Sequence, residues 1–330
     1  MFKKTILFVC AVCSMSFIYA QKIEKDTLSA IEKLKDVTVH YNKWEQNLNE
    51  VPNRIVKISL KNLRLQNPQT MADALGTTGD VFIQKSQLGG GSPMIRGFAT
   101  NRVLIVVDGV RMNNAIYRSG NLQNIISLDA LAIDDAEIIF GPGSLIYGSD
   151  AIGGVMDFHT LQPKFATPKN NLVSGNALLR YSSANKENTA HFNFNIASSK
   201  LSFLTSFTYS NLSDLQMGKN GGDKSYLRNE YVERTNNADV VVTNDNPRVQ
   251  KFSGYFQKNL LSKLAYQPNK NLLLQYGFHY STTGNTPRYD RLIEYAGNTL
   301  RFAEWNYGPQ TWLMHNLQVQ HSKATKLYNN

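Results

Sequence analysis

Long stretches in the second half of the chain alternate apolar and polar residues with a period of two. Phe192, Phe194 and Ile196 alternate with polar neighbours, and the stretch from Leu272 to Tyr280 repeats the pattern. This period is typical of β-strands, because successive side chains point to opposite faces of a sheet. The pattern predicts six strands, over residues 172–182, 189–198, 200–210, 254–267, 271–283 and 310–322.

The lengths of these strands and of their connections favour a transmembrane β-barrel over a soluble β-sandwich. A tilted strand needs about 9–11 residues to cross the hydrocarbon layer, whereas the mean strand of a globular protein has about 5–6. The connections near residue 199 and at 268–270 are very short, whereas 211–253 and 284–309 are long and polar. Outer-membrane barrels have short periplasmic turns and longer extracellular loops. We therefore expect antiparallel barrel strands with one face on membrane lipid.

Six strands are too few to close such a barrel. Small barrels begin at about 8 strands, and barrels that hold a folded domain have about 22. We therefore expect an incomplete barrel over residues 166–330, either the N-terminal part of a longer protein or a truncated gene product.

Residues 41–165 mix helical and strand-like runs and predict a small α+β domain ahead of the barrel. A short helix is expected over 67–76, with Asn67 as its N-cap and Gly76 as a left-handed exit. Continuous apolar runs predict strands that share one small sheet, at Val103–Val107, Ala136–Phe140 and Val155–Phe158, with a shorter one at 81–84.

The first twenty residues have the features of a secretory signal peptide. Two lysines precede the apolar segment Ile6–Ile18, which is too short to span a bilayer, and Ala20 supplies the small residue of a cleavage site. Cleavage there would remove both Cys10 and Cys13. Residues 21–40 follow as a polar lead, so we expect an exported protein.

The composition narrows the class of protein. Hydrophobic residues make up 42% and aromatic residues 11% of the chain, which excludes a disordered protein. The net charge is +10, but lysine and arginine are spread along the sequence, so we expect no nucleic-acid partner. The six histidines have no metal-ligand spacing, and no catalytic set of carboxylates or of Ser, His and Asp is visible. We predict a non-enzyme without a metal or cofactor.

Two sequence blocks carry a resemblance to a known family. The first is Pro93–Arg111, PMIRGFATNRVLIVVDGVR, and the second is Glu137–Val155, EIIFGPGSLIYGSDAIGGV. Both resemble the plug-domain motifs of TonB-dependent outer-membrane receptors, in the same order and at a similar separation. The resemblance implies a plug domain inside a barrel. It also implies structural roles in the plug for Arg96, Gly97, Asp108, Gly109, Gly141, Pro142, Gly143, Tyr147, Gly148, Gly153 and Gly154.

One position departs from the family pattern. Many members carry Arg where this chain has Phe140, and that Arg joins the counterpart of Arg96 in a charge cluster between plug and barrel.

The glycines of the second block can also be compared with a phosphate-binding loop. Gly143 to Gly148 have the spacing of such a loop, but Ser149 stands where its lysine must be, which argues against nucleotide binding.

The resemblance places a TonB box at Asp36, Val37, Thr38, Val39 and His40. Such a box must be an extended segment that the partner can add as a strand to its own sheet edge, where main-chain hydrogen bonds supply the grip. The alternative interpretation is that this segment is simply the first strand of the plug.

The resemblance also implies which plug loops face the ligand. They follow the Arg-Gly-Phe motif and the Asp-Gly turn, and two arginines and a tyrosine there could meet an anionic aromatic ligand. Each residue could equally be a solvated loop residue. The candidate ligand contacts are Thr100, Asn101, Arg111, Asn113, Asn114, Tyr117 and Arg118.

The function implied by the resemblance is energy-coupled import across a Gram-negative outer membrane. A scarce ligand such as a ferric siderophore or haem would bind from outside and shift the plug. TonB, driven by its inner-membrane motor complex, would then pull on the exposed box. A passive porin, a surface adhesin and a non-functional receptor fragment remain alternatives. An agent that uncouples energy separates the importer from the porin and the adhesin, since only the importer would stop accumulating ligand.

Overall fold

The computed structural model describes residues 38–39, 46–47, 51–59, 64–99, 102–112, 124–168, 170–220 and 224–322. The predicted signal peptide and residues 21–37 lie outside these ranges. Among the helices of the described residues, none combines the length and the apolar character that a membrane span requires.

The first half of the described chain contains ten strands and two short α-helices. The helices are α1 (Met71–Gly76) and α2 (Ser144–Tyr147), with 3₁₀ turns at Arg64–Gln66 and Asn124–Ser127. The strands are β1 (Thr38–Val39), β2 (Gln46–Asn47), β3 (Ile55–Ser59), β4 (Phe82–Gln84), β5 (Ser92–Ile95), β6 (Phe98–Ala99), β7 (Val103–Val107), β8 (Val110–Arg111), β9 (Ile133–Phe140) and β10 (Gly154–Thr160).

The second half of the described chain is almost entirely β-structure. Its one α-helix among these residues is α3 (Tyr289–Leu292). The strands are β11 (Leu172–Ser182), β12 (Glu187–Ala197), β13 (Leu201–Leu212), β14 (Glu230–Thr235), β15 (Ala238–Thr243), β16 (Tyr255–Asn269), β17 (Leu272–Thr283), β18 (Thr286–Pro287), β19 (Tyr295–Ala296), β20 (Thr299–Leu300), β21 (Asn306–Tyr307) and β22 (Thr311–His321).

The N-terminal domain is built on a five-stranded mixed sheet with the order β3-β9-β10-β7-β8. β10 runs parallel to β7 and antiparallel to β9. One face packs under α1 through Met71, Leu75 and Ile138, and the other packs under α2 through Tyr147 and Val155. Because both faces are covered, the central strands are continuously apolar, which is why they were recognisable in the sequence.

Two details of the predicted domain are wrong. The helix begins after Thr70, whose hydroxyl accepts a hydrogen bond from the Asp73 backbone N–H, while the Asp73 carboxylate accepts one from the Thr70 backbone N–H. Asn67 instead has a φ of 52°, and Gly76 is the last helical residue rather than a left-handed exit. The short strand near 81–84 also does not join the main sheet, because β4 pairs with β5 in a separate sheet with β6.

The second half forms the predicted run of long antiparallel strands. The sheet has the order β11-β12-β13-β16-β17-β22, and each predicted strand lies within about two residues of an observed one. In the described residues β11 and β22 form the two edges of an open sheet, so the fold is the incomplete barrel that the sequence predicted. The connections 198–200 and 270–271 lie at one end of the sheet, and 213–254 and 284–310 lie at the other.

The two faces of this sheet differ in chemistry as the alternation predicts. The outward face exposes large apolar side chains, among them Val173, Leu179, Phe192, Ile196, Phe203, Leu264, Leu313 and Leu317. The inward face buries polar side chains against the N-terminal domain, among them His191, Asn195, Ser206, Thr208, Gln257, Asn259, Lys263 and His279. An apolar outside with a polar inside is the arrangement of a transmembrane barrel, the reverse of a soluble sandwich.

The long connections carry structure that the sequence interpretation left as loops. β14 and β15 form a hairpin within 213–254, and β18 pairs with β21 within 284–310. Tyr295 Oη donates a hydrogen bond of 2.8 Å to Glu230 Oε1, which joins the two connections.

Candidate functional site: the junction of the inner domain and the barrel wall

The Asp-Gly turn between β7 and β8 contacts the six-stranded barrel sheet, which is called the wall below. The turn belongs to the N-terminal domain, which is called the inner domain because it packs against the inward face of that sheet. Asp108 and Gly109 have φ values of 47° and 81°, which is typical of a two-residue hairpin turn. The turn aims the Asp108 side chain back toward β10, where Thr160 donates from its backbone N–H at 3.0 Å and from its hydroxyl at 2.7 Å. The Asp108 carboxylate is therefore held in place by hydrogen bonds from its own domain.

The same carboxylate meets a lysine and a histidine side chain of the barrel wall. Asp108 Oδ2 lies 2.9 Å from Lys263 Nζ on β16 and 3.3 Å from His279 Nε2 on β17. Its backbone carbonyl accepts hydrogen bonds from Asn316 Nδ2 at 2.9 Å and from Gln318 Nε2 at 2.8 Å, both on β22. One residue of the inner domain thus contacts three neighbouring wall strands.

Burial makes this junction energetically important. The side chains of Lys263 and Asp108 are only 1% and 3% exposed. Burial by itself raises the pKa of Asp108, but Lys263, His279 and the Thr160 hydroxyl outweigh it and hold the pKa well below its usual range. Asp108 is therefore ionised at neutral pH, and removal of either Asp108 or Lys263 would leave the other charge buried without its ion-pair partner.

A second junction lies at the start of α1. Arg180 on β11 pairs with Glu187 on β12 at 2.6 Å, and its Nη1 donates to the Pro68 carbonyl at 2.9 Å. Gln69 Nε2 in turn donates to Glu187 Oε2 at 2.6 Å. The Arg180–Glu187 ion pair of the wall therefore binds the turn that precedes α1.

Further polar contacts hold other parts of the inner domain. Gln257 Nε2 donates to the Ile126 carbonyl at 2.6 Å, and Thr208 Oγ1 donates to Asp129 Oδ2 at 2.5 Å. Asn195 Nδ2 donates to the Lys164 carbonyl at 2.9 Å. Buried polar groups thus dock the inner domain against the inward face of the sheet, beside apolar contacts such as that of Ile126 with Tyr255.

Phe140, the position that departs from the family pattern, contacts two arginines through its ring. The guanidinium carbons of Arg54 and Arg96 lie 4.9 Å and 5.0 Å from the centroid of the Phe140 ring. Arg96 has a φ of 48°, and Arg54 also pairs with Asp80 at 3.1 Å. Phe140 therefore binds the two arginines by cation–π contacts, whereas a third arginine in place of Phe140 would repel them.

The glycine-rich block closes tightly over β8. Arg111 Nη2 donates to the Ser149 carbonyl at 2.8 Å and lies 3.4 Å from Asp150 Oδ2. Gly148 has a φ of 89°, and a Cβ there would lie 2.7 Å from Arg111 Nη1. Arg111, predicted to contact ligand, is thus engaged with the loop that follows α2.

The other candidate ligand contacts and most of the TonB box lie outside the described residues. These are Thr100, Asn101, Asn113, Asn114, Tyr117 and Arg118 from the loops, and Asp36, Val37 and His40 from the box. Thr38 and Val39 form β1, which pairs antiparallel with Gln46 and Asn47. The segment is thus extended at these two positions, as both interpretations of it require.

One charged cluster on the inner domain has the donor types of a metal site. Asp135, Glu137 and His159 bring one ligand atom each within 4.8 Å of one another. However, Lys57 Nζ lies 3.4 Å from Asp135 and 3.6 Å from Glu137, so a side chain already supplies positive charge. Burial lowers the pKa of His159, but the hydrogen bonds to Asp135 and Asp157 prevail and raise the pKa to about 10. The cluster is a network of ion pairs within the domain.

The wall residues of these junctions were not identified from the sequence. Lys263, His279, Asn316, Gln318 and Arg180 all stand at inward positions of strands whose other face is apolar. That placement is typical of polar residues that face the inside of a barrel, and it is the feature of the sequence from which they could have been found. Their partners lie up to 210 residues away in the chain, and spacing carries no information at such separations.

Comparison with known proteins decides the family. Residues 47–155 match the family described as TonB-dependent Receptor Plug Domain. Residues 47–155 therefore form a TonB-dependent receptor plug domain. The inner domain is therefore a plug, and the prediction from the two sequence motifs is confirmed. The matched proteins are receptors and transporters, not enzymes.

The similarity extends to curated relatives and solved structures. The chain is 35% identical over 150 residues to the vitamin B12 transporter BtuB of Vibrio vulnificus, which covers 44% of this chain and 22% of the relative. It is 30% identical over 165 residues to the heme/hemopexin utilization protein C of Haemophilus influenzae, covering 48% of this chain and 20% of the relative. The structure of the copper transporter OprC matches with a TM-score of 0.52 at 15% identity, over 71% of this chain and 32% of that one. The chain thus spans about a fifth of the length of these curated relatives, and the structural match concerns the fold alone.

Proposed function

We propose that this chain forms part of an outer-membrane importer that takes up a scarce ligand at the expense of energy delivered by TonB. The observation that carries the proposal is the Asp108 junction, by which a folded plug is held inside a polar concave wall. A barrel whose inside is filled by a folded domain does not let solutes diffuse through, so passage of a ligand requires work on the plug. This favours an importer over a passive porin.

The outer face of the wall supports placement in the outer membrane. Apolar side chains cover it at mid-height, and exposed aromatic rings lie near strand ends, with Tyr181, Tyr209 and Phe256 toward one end and Tyr266 toward the other. Aromatic girdles at the two interfaces flank the lipid-facing band of such barrels. The long connections 213–254 and 284–310 then face the exterior, and the signal peptide proposed for residues 1–20 accounts for export.

We propose TonB as the partner and residues 36–40 as the segment that it grips. β1 lies just ahead of the plug and is extended, which is the geometry that strand addition requires. The proposed domains are the signal peptide at 1–20, the lead with the box at 21–40, the plug at 41–165 and the barrel part at 166–330. The ligand was predicted to be a ferric siderophore or haem, and the names of the relatives add cobalamin to the set.

The test of this proposal is the effect of a proline in the box. Val37→Pro or Val39→Pro removes a backbone N–H and with it the strand that TonB would add. We expect uptake of the cell's scarce ligand to stop while binding to the purified receptor persists. Leu65→Pro, at an exposed residue of the 3₁₀ turn ahead of α1, is the control for proline elsewhere in the plug. Uptake that continues in both box variants, or that survives deletion of TonB, would contradict the proposal.

A further inference from the structure

A cavity of about 520 Å³ lies between the two long connections of the barrel part. One wall is the β14–β15 hairpin, and the opposite wall is the segment 301–306. Ligand sites usually enclose about 300–1,000 Å³ and combine an apolar lining with a few polar groups. This cavity fits that description, since Val232, Phe252, Leu292, Phe302 and Trp305 line it together with charged side chains.

Contacts between the two connections hold the cavity in shape. Tyr295 Oη donates to Glu230 Oε1 at 2.8 Å, and the Arg228 guanidinium lies 5.1 Å from the centroid of the Tyr289 ring. Arg228 is buried, and burial lowers its pKa even though Tyr289 and Asp214 act in the opposite sense. The cavity is therefore bounded by packed residues rather than by two independent loops.

Aromatic rings form the most distinctive part of the lining. Phe302 and Trp305 meet edge to face, with ring centroids 4.7 Å apart and planes at 90°. Arg288 and Arg291 lie 5.8 Å and 5.6 Å from the Trp305 ring. Rings oriented in this way offer both an edge and a face to a flat ligand, and such contacts add to the affinity that buried area gives.

The arginines around the cavity pair with carboxylates. Arg291 and Arg301 share Glu294, at 2.7 Å and 2.5 Å, and their hydrogen bonds lower the pKa of Glu294. Arg288 pairs with Asp290 at 2.9 Å. Two carboxylates face these three guanidinium groups, so two of the three positive charges are offset, and the third, on Arg301, is counted with the lining.

The charges of the lining itself are negative in sum. Arg234 pairs with Asp239 at 3.1 Å and cancels it. Glu233 and Glu304 also line the cavity, and no ion pair to either is present among the residues that the structure describes. Within the described ranges, the hydrogen bond that the Glu304 side chain accepts comes from the neutral amide of Asn306, at 2.7 Å. Two arginines against three carboxylates leave one net negative charge on the lining.

We propose that this cavity binds a ring-bearing ligand that is neutral or cationic and discriminates against polyanionic ligands. The proposal rests on the proposed function, because it names the class of ligand that the importer would take at its outer loops. This ligand class differs from the anionic ligand that the two plug-loop arginines suggested. The rings and carboxylates of the outer cavity would contact the ligand at a place separate from Arg111.

The test compares two porphyrins of one ring system and opposite charge on the purified full-length receptor in detergent. The probes are a tetracationic N-methylpyridyl porphyrin and a tetraanionic sulfonatophenyl porphyrin, and affinity is measured by titration calorimetry. We expect the cationic probe to bind more tightly. Trp305→Ala should weaken its binding about 10-fold through the lost ring contact. Glu304→Gln should weaken it about 5-fold, whereas Asp245→Asn, at an exposed carboxylate outside the cavity lining, should leave it unchanged.

Tighter binding of the anionic probe would overturn the proposal. So would failure of both probes to bind, or affinities that change in neither the Trp305 nor the Glu304 variant. The proposed function is judged separately, by whether cells stop accumulating their scarce ligand when the TonB box carries a proline. Energy-dependent uptake of an anionic ligand that does not need Trp305 would therefore refute the ligand class and leave the importer intact.

Discussion

Lys263 Nζ lies 2.9 Å from Asp108 Oδ2, which joins the plug to the barrel wall by an ion pair that is almost completely removed from water. The two residues stand on different domains, so the pair is broken whenever the β7–β8 turn leaves the wall. Separation in place would leave two buried charges unpaired, a state that is far more costly than separation into water. The plug therefore stays docked until water reaches this junction.

A double-mutant cycle tests this pair. Asp108→Asn and Lys263→Met should each lower the free energy of unfolding by about 3–5 kcal/mol, because each leaves the other buried charge without its ion-pair partner. The double variant should lose clearly less than the sum of the two single losses. Unfolding by urea in detergent micelles, followed by proteolysis of the released plug, measures these energies.

The control for the cycle is an exposed pair of the same type. Lys251 lies 4.0 Å from Asp214 with 38% of its side chain exposed, so Lys251→Met should cost about 0–1 kcal/mol. Strictly additive losses at Asp108 and Lys263 would show that the two charges do not act as a pair.

The ion-pair network of His159 predicts a pH dependence of plug stability. Its pKa is raised from 6.5 to about 10 in the folded plug, chiefly by hydrogen bonds to Asp135 and Asp157 that outweigh burial. The protonated imidazole therefore stabilises the fold fully below pH 6.5, and this contribution is lost as the pH rises through about 10. Between these values the free energy of unfolding should fall by at most about 1.4 kcal/mol per pH unit.

Unfolding curves between pH 6 and pH 10 check this slope, and His159→Asn is the matched variant because it keeps a polar side chain that does not titrate. We expect the variant to be less stable at neutral pH and its stability to change less with pH. An equal slope in both proteins would mean that His159 is not the titrating group.

The sequence allowed the barrel strands to be predicted because their signal is local and repeated. Alternation over ten or more residues defines both the strand and its inward face, as in Tyr255–Asn269, and no distant residue is needed to recognise it. The β14–β15 hairpin was missed although its turn was visible. Asn236 and Asn237 adopt positive φ values of 51° and 63°, and two such residues between β-branched runs are typical of a two-residue hairpin turn.

The start of α1 shows how one local signal can outweigh another. Asn67 followed by Pro68 has the composition of a helix start, but Thr70 and Asp73 can satisfy two backbone donors reciprocally, which Asn67 cannot. Arg180 also holds the Pro68 carbonyl outside the helix, at 2.9 Å, and that contact crosses 112 residues. Contacts of this range depend on how the plug seats in the wall, so neither this turn nor the Asp108 junction could be derived from spacing.

A substitution at Gly148 tests the closure of the second motif over β8. Gly148→Ala should destabilise the plug by about 1–3 kcal/mol, because alanine is strained at a φ of 89° and its Cβ would displace the Arg111 guanidinium. Thermal unfolding measures the loss. Gly218→Ala is the control, since its Cβ would meet nothing within 4 Å, and it should leave the melting temperature nearly unchanged. Equal effects of the two substitutions would contradict the assigned role of Gly148.

A charge on the outward face tests the placement of the wall in lipid. Leu264 is 45% exposed on β16, in the row of Phe203 and Tyr276, and Leu264→Arg should cost about 2–4 kcal/mol where this row lies near the midplane of a bilayer. Val241→Arg on the β15 hairpin starts from a similar exposure of 50% but lies in a connection that faces water, so its cost should be close to zero. Refolding into lipid vesicles at graded urea concentrations compares the stability of the two variants. In detergent, where headgroups surround a looser apolar layer, the difference in stability between the two variants should be smaller. If arginine is tolerated equally at both positions in vesicles, the apolar face of the sheet does not contact acyl chains. Water is the surrounding that accepts a charge in place of an exposed leucine without cost, and hydrocarbon does not.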